Sequence, residues 1–162
     1  TMYPYKWNTT EIDPETMQRI ERHRAMRADK GFDTVECYRH VEHIVAKRQD
    51  VLLLECMSNL LANEMYLEPD SNAGSDMAET MSPVSNKIVQ ALIDLSTRVQ
   101  ELVIVTNDVF SDGGSLTYDE STREYVKNLA EINCALAREA ATVTEVVCGI
   151  PVIVKKNHPM GK

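Results

Sequence analysis

VLLLEC, residues 51–56, and LVIVTND, residues 102–108, are short unbroken apolar runs that end on polar side chains. A strand with one wet face alternates apolar and polar residues. An unbroken run of this length reads as a strand covered on both faces, as in the middle of a parallel sheet. Helical patterns accompany both runs: SNLLANEMYL (58–67) after the first, residues 77–99 through Ile88, Leu92, Leu95 and Val99 before the second, and STREYVKNLAEINCALAREAA (121–141) after it. Buried strands alternating with helices define an α/β fold with a mainly parallel sheet flanked by helices. Ligands bind such sheets at the carboxyl ends of the strands, where Glu55 and the trio Thr106, Asn107 and Asp108 fall. A carboxylate there suits Mg²⁺ in a nucleotide site, or it caps a neighbouring helix.

Working outward, FDTVECY (32–38) reads as a short strand with Glu36 near its end, placed for a ribose hydroxyl or a base edge. RHVEHIVAK (39–47) reads as a short amphipathic helix with Val41, Ile44 and Val45 inward. His40 and His43 lie three apart on it, but no carboxylate-rich pocket or further soft ligand accompanies them to complete a metal site. VTEVVCGIPVIVKK (143–156) is strand-like, and its Gly-Ile-Pro break divides it into two strands or bends it. PDSNAGSD (69–76) and SDGGS (111–115) are loops, the first a lid candidate by composition. At the front, a strand end is expected around Thr1–Met2. Asp13-Pro14-Glu15 is a helix start, with Asp as N-cap and Pro at the first helical position.

The chain of 162 residues has the length of one domain and can bury a core without disulfides or metals. Its net charge of −8 argues against general nucleic-acid or membrane-surface binding. The locally basic segment from Arg19 to Lys30 suits a small anionic ligand better than a polyanion. Four cysteines without a CxxC pair signal neither a zinc nor a disulfide framework. Cys56 and Cys148 sit in apolar runs and read as buried thiols of a reduced compartment. With no signal peptide and no bilayer-length apolar run, the expected location is cytoplasmic.

The helix after Asp13 carries MQRIERHRAMR (17–27). Residues four apart share a helix face, so Arg19, His23 and Arg27 form a line, with Ile20 as an anchor to the core. Cations on both sides disfavour a third positive charge and hold His23 toward its neutral, nucleophilic form. The guanidiniums suit phosphate oxygens. The spacing fits a histidine placed to attack a phosphoryl or nucleotidyl group, but on spacing alone a solvated basic face is the favoured reading. GxxxxGK[ST], the loop that cradles triphosphates with backbone N–H groups, does not occur in residues 1–162.

RIERHRAMR (19–27), TVECY (34–38), LLLECMSNLLANEMY (52–66), LVIVTNDVFSDG (102–113) and EINCALAREAATVTEVVCGIPVIVK (131–155) together resemble the bifunctional adenosylcobinamide kinase / adenosylcobinamide-phosphate guanylyltransferases of cobalamin biosynthesis. The resemblance runs over nearly the whole chain and implies a P-loop NTPase-like (RecA-like) fold and a homotrimer. It implies phosphorylation of adenosylcobinamide, with ATP or GTP as donor, and transfer of GMP from GTP to the product through a guanylylated histidine. His23 matches that histidine within RIxxHxxxR. Arg24, Ala25, Met26 and Arg27 match a nucleotide-contacting run, as do Thr1, Met2 and Tyr3, and Arg19 faces the same phosphates. Glu36 and Glu55 match acidic nucleotide-site positions, Glu55 standing where a carboxylate serves Mg²⁺. Asp108 replaces the Glu of many relatives. Family members open with a strand, a GGxxSGKS-type loop and a helix, and none of these precedes Thr1 here. The expectation is therefore a single α/β domain, incomplete at its N-terminus, with an unpaired central strand position and little activity as it stands. The alternative is a non-catalytic corrinoid- or nucleotide-binding assembly subunit related to that enzyme.

Overall fold

The computed structural model describes residues 2–3, 18, 21–22, 25, 30–66, 81–109 and 118–157. Four parallel strands form the sheet: β1 (Met2–Tyr3), β2 (Val35–Glu36), β3 (Val51–Glu55) and β4 (Glu101–Val105), in the order β2-β1-β3-β4. Among the described residues, helices with defined bounds are α1 (Met57–Tyr66), α2 (Pro83–Arg98) and α3 (Glu120–Glu139). An antiparallel hairpin of β5 (Thr142–Val147) and β6 (Ile150–Lys156) follows, outside the four-stranded sheet. The mixed α/β class and the parallel sheet are as the apolar runs imply.

Packing resolves the two faces of the sheet. β3 and β4 pair from Val51 opposite Glu101 to Glu55 opposite Val105. Partners in a parallel ladder share a face, so Leu52 and Leu54 lie with Leu102 and Ile104. Leu52 and Leu54 are buried in the core with Met57, Leu60 and Leu61 of α1, Ile88, Leu92 and Leu95 of α2, and Leu129 and Ile132 of α3. Val51, Val103 and Val105 lie on the opposite face and are 52%, 41% and 47% exposed. The expectation that LVIV is buried on both faces is corrected: the described helices pack on one face of these strands only.

Helix ends follow local chemistry. Ser82 caps α2 by accepting from the Ser85 backbone N–H at 3.3 Å, with Pro83 in the first turn. Asp119 caps α3 by accepting from the Thr122 N–H at 2.7 Å, which holds its carboxyl below the usual carboxylate range. Between α2 and α3, the buried Ser85 hydroxyl donates to Asn128 Oδ1 at 3.2 Å, so this polar contact costs little desolvation. The Lys155 ammonium donates to the carbonyls of Ala137 and Arg138 at 3.0 and 2.6 Å, satisfying the C-terminus of α3 and tying the hairpin to it.

Three further expectations change. FDTVECY yields a strand only at Val35–Glu36. RHVEHIVAK forms a single 3₁₀ turn, Val41–His43, rather than an α-helix. His40 enters it in the left-handed region (φ +56°), and Ile44 leaves it extended. Val41 and Ile44 are buried as expected, but the extended exit turns Val45 outward, 97% exposed. The third change is at Cys148. It is exposed, not buried, because it forms the hairpin tip with Gly149, both at positive φ (+50° and +81°) between the paired Val147 and Ile150.

A two-residue loop with positive φ at both positions is the type I′ turn, which favours Asn-Gly. A non-glycine side chain in the left-handed region costs about 1–2 kcal/mol, less for Asn. Cys148→Asn is therefore expected to stabilise the hairpin by up to about 1 kcal/mol, seen as a higher urea midpoint at unchanged slope.

Candidate functional site

The sheet register builds one edge from the predicted residues. Met2 pairs with Val35 and with Leu54, and Tyr3 pairs with Glu36. Tyr3, Glu36 and Glu55 therefore close the carboxyl ends of β1, β2 and β3, with Val105 level with Glu55 on β4. Glu36 is exposed and Glu55 half-buried. Of the basic helix, Gln18, Glu21, Arg22 and Ala25 are helical, as expected for this stretch, and exposed. Thr1, Arg19, His23, Arg24, Met26 and Arg27 lie outside the described residues, as do the two candidate loops, 69–76 and 111–115.

Beyond Glu55 the chain turns sharply into α1. Cys56 sits at φ +87°, and its carbonyl accepts the first helical bonds, from Asn59 and Leu60. Its thiol lies 2.7 Å from the Ser58 hydroxyl, on the half-buried face rather than in the core. After β4, the Thr106 hydroxyl donates to Asn133 Oδ1 at 2.7 Å, and Asn133 Nδ2 donates to the Asn107 carbonyl at 3.3 Å. Asn133 of α3 thus pins the strand-end loop whose residues the sequence singled out. Asn133 itself gave no sequence signal, because a polar residue on a helix reads as surface until the loop it holds is known.

Beside this edge lies a cavity of about 850 Å³, lined by Glu36, Tyr38, His40, His43, Ile44 and Tyr66 among others. Its wall is fastened from two helices. From α1, Asn63 Nδ2 donates to the Tyr38 carbonyl at 3.1 Å, and Glu64 accepts from the His40 backbone N–H at 2.8 Å. The nearly buried Glu64 carboxylate also holds the Lys87 ammonium at 2.9 Å and lies 3.6 Å from Arg39 Nε. A charge this buried persists because cations and an N–H surround it. From α2, the Arg98 guanidinium donates to the carbonyls of Glu42 and Ile44, each at 3.2 Å.

Within the cavity the Tyr38 phenol donates to Glu36 Oε2 at 2.7 Å. Partial burial, and then the bond and charge of Glu36, push the Tyr38 phenol up to about 12. A pKa raised above its unfolded value favours the folded protein while the phenol is protonated. That contribution is present below about pH 10 and is lost as pH rises through about 12. Spectrophotometric titration is expected to show Tyr38 ionising at about 12, with Tyr125 also raised by burial, and Glu36→Gln to lower Tyr38 only in part, because its burial remains.

Among the described residues no group of three or more His, Cys, Asp or Glu is arranged to hold a metal ion, and no helix is long and apolar enough to cross a membrane. The one-carboxylate donor set at Glu55 still fits Mg²⁺, which is commonly held by one or two carboxylates and completed by substrate phosphates.

A parallel sheet with helices packed on it and carboxylates at the carboxyl ends of β2 and β3 is an α/β architecture of the kind that holds ligands at its strand ends. A family model for cobinamide kinase / cobinamide phosphate guanyltransferase matches residues 5–154, and the chain belongs to that family. The family's transferases act in cobalamin biosynthesis on corrinoid and nucleotide substrates. A comparison with curated proteins finds no match.

Proposed function

We propose that the protein phosphorylates adenosylcobinamide and transfers GMP from GTP to adenosylcobinamide phosphate through a guanylylated His23. The observation that carries this reading is the family match over residues 5–154, which takes in His23, Glu36 and Glu55. In the first half-reaction the His23 lone pair attacks the α-phosphorus of GTP. A P–N bond forms, the P–O bond to the β-phosphate breaks, and pyrophosphate leaves. In the second, a phosphate oxygen of the corrinoid attacks the same phosphorus, and the P–N bond breaks to restore imidazole.

Arg19 and Arg27 hold the transferring phosphate, and Arg24, Ala25 and Met26 complete that nucleotide-contacting run with Thr1, Met2 and Tyr3. Glu36 takes a ribose hydroxyl or the guanine edge. Glu55 would hold Mg²⁺, which would supply charge neutralisation at the phosphates. The active assembly is a cytoplasmic homotrimer, and either ATP or GTP serves as donor in the kinase step.

The test is the intact mass of the complete, full-length protein after incubation with GTP and Mg²⁺. A gain of one GMP that disappears in His23→Ala supports the reading. An unchanged mass, or an adduct that survives the substitution, overturns it. Corrinoid binding without any GTP-dependent labelling points instead to a binding subunit of this family.

A further inference from the structure

We propose that Asn107 donates its side-chain amide to a phosphate of the nucleotide substrate, and that Asn133 is the positioning residue that holds it there, beside Glu55. The proposal rests on the reading that a nucleotide is a substrate, and it gives roles to two residues that the family match does not single out.

The turns that leave β3 and β4 lie side by side, because Glu55 pairs with Val105 and both strands end there. They are tied to each other and to α3. The Cys56 thiol, next in the chain after Glu55, donates to Asn107 Oδ1 at 3.9 Å, with the Ser58 hydroxyl 2.7 Å from the same sulfur. Asn133 engages the turn after β4 with both ends of its amide. Its Oδ1 accepts from the Thr106 hydroxyl at 2.7 Å, and its Nδ2 donates to the Asn107 carbonyl at 3.3 Å. Earlier on the same face of α3, the Tyr125 phenol donates to the Ser58 carbonyl at 3.1 Å. Leu129, between them in that line, is fully buried. One helix face, seated by Leu129, thus sets the turns after both strands.

Stability alone is a poor account of this arrangement. Thr106 and Asn107 are exposed, and water competes for hydrogen bonds to exposed groups. Asn is also a poorer helix former than Ala, yet it stands well inside α3. What the two bonds achieve is to fix Thr106 and the carbonyl of Asn107, and so the direction in which the Asn107 side chain leaves the sheet. A group that must meet a substrate atom within a fraction of an ångström needs such support.

The ligand chemistry follows from the donor set. With Oδ1 facing the Cys56 thiol, the Nδ2 end of Asn107 offers two N–H donors and no acceptor. That is the complement of a phosphate oxygen. A neutral amide adds an attractive contact next to Glu55 without placing a further charge there. α1 begins at Met57, so the positive end of its dipole opens on the same edge, which is where parallel sheets hold their ligands.

The experiment uses the complete, full-length protein with Mg²⁺ and guanosine 5′-(α,β-methylene)triphosphate. The α–β bridge of this analogue resists transfer, so calorimetry reads binding alone. Asn107→Ala and Asn133→Ala are each expected to weaken binding about tenfold, the effect of one hydrogen bond to a charged group. Asn107→Asp, of the same shape but with charge in place of the donors, is expected to bind more weakly than Asn107→Ala. The double variant Asn107→Ala/Asn133→Ala should be no weaker than the weaker single variant, because Asn133 acts through Asn107. A merely structural role for Asn133 would instead multiply the two losses to about a hundredfold. Urea midpoints check folding, and the exposed Asn107 is expected to leave the midpoint unchanged on truncation. Unchanged affinity in either single variant, Asn107→Asp binding as tightly as the unmodified protein, losses that multiply, or no binding of the analogue would each overturn the assignment. GTP-dependent labelling of His23, measured on the same preparation, separates this from the reading above. Labelling with unchanged affinity in the variants removes Asn107 and Asn133 alone. The expected affinity losses without labelling keep both residues and remove the guanylylated intermediate.

Discussion

Leu54→Ala is expected to destabilise the protein by about 2–5 kcal/mol, read as a lower urea midpoint at nearly unchanged slope. Leu54 is fully buried, on β3 between β1 and β4, and its side chain joins the cluster shared by all three helices. Truncation removes its transfer free energy and leaves a cavity that two paired strands prevent from collapsing. Domains of this size are stable by only about 5–15 kcal/mol, so the loss is a large fraction of the total. Val105→Ala is the control. It removes an apolar side chain of β4 that is 47% exposed, and less than about 1 kcal/mol is expected. Equal losses at the two positions would mean that the Val105 face is covered in solution as fully as the Leu54 face.

That contrast marks what the sequence could convey. The unbroken apolar runs correctly announce strands, their parallel arrangement and the side chains of the core, because burial of Leu52 and Leu54 needs only a helix layer on one side. The same runs also announce cover on the second face, and there Val51, Val103 and Val105 remain open to a considerable degree. The hairpin poses the same problem: Val146, Ile150, Ile153 and Val154 are each more than 60% exposed. Periodicity reports what a strand is suited to bury, not which elements supply the cover.

The 39–47 segment departs from its helical periodicity for a different reason. Its apolar spacing fits a helix, yet a left-handed His40 and an extended Ile44 limit it to one turn. The forces that set that turn, the Glu64, Lys87 and Arg98 contacts, come from residues 20 to 60 positions away. At the site, Glu36 and Glu55 were legible because strand ends are predictable places. Tyr38, Asn133 and Arg98 were not, since each acts through a partner that only the fold brings near.

Removing His23 is expected to abolish GTP-dependent labelling altogether, whereas Glu55→Gln should slow it by about 10²–10³-fold without abolishing it. The difference follows from what each group supplies in the proposed reaction. His23 provides the atom to which GMP becomes bonded, so no neighbour substitutes for it. Glu55 provides charge at the end of β3, half-buried and level with Val105, where a carboxylate holds the cation that shares the triphosphate charge. Glutamine keeps the shape and loses the charge, so the attack remains possible at a higher barrier. The adduct itself carries a second signature. A phosphoramidate on imidazole is labile in mild acid and survives alkali, the reverse of a phosphate ester on serine or threonine. Quenching labelled protein at both extremes therefore identifies the nucleophile independently of mutagenesis. An acid-stable label, or a Glu55→Gln variant as silent as His23→Ala, would move the bond-forming role away from His23 or make Glu55 indispensable to nucleotide binding.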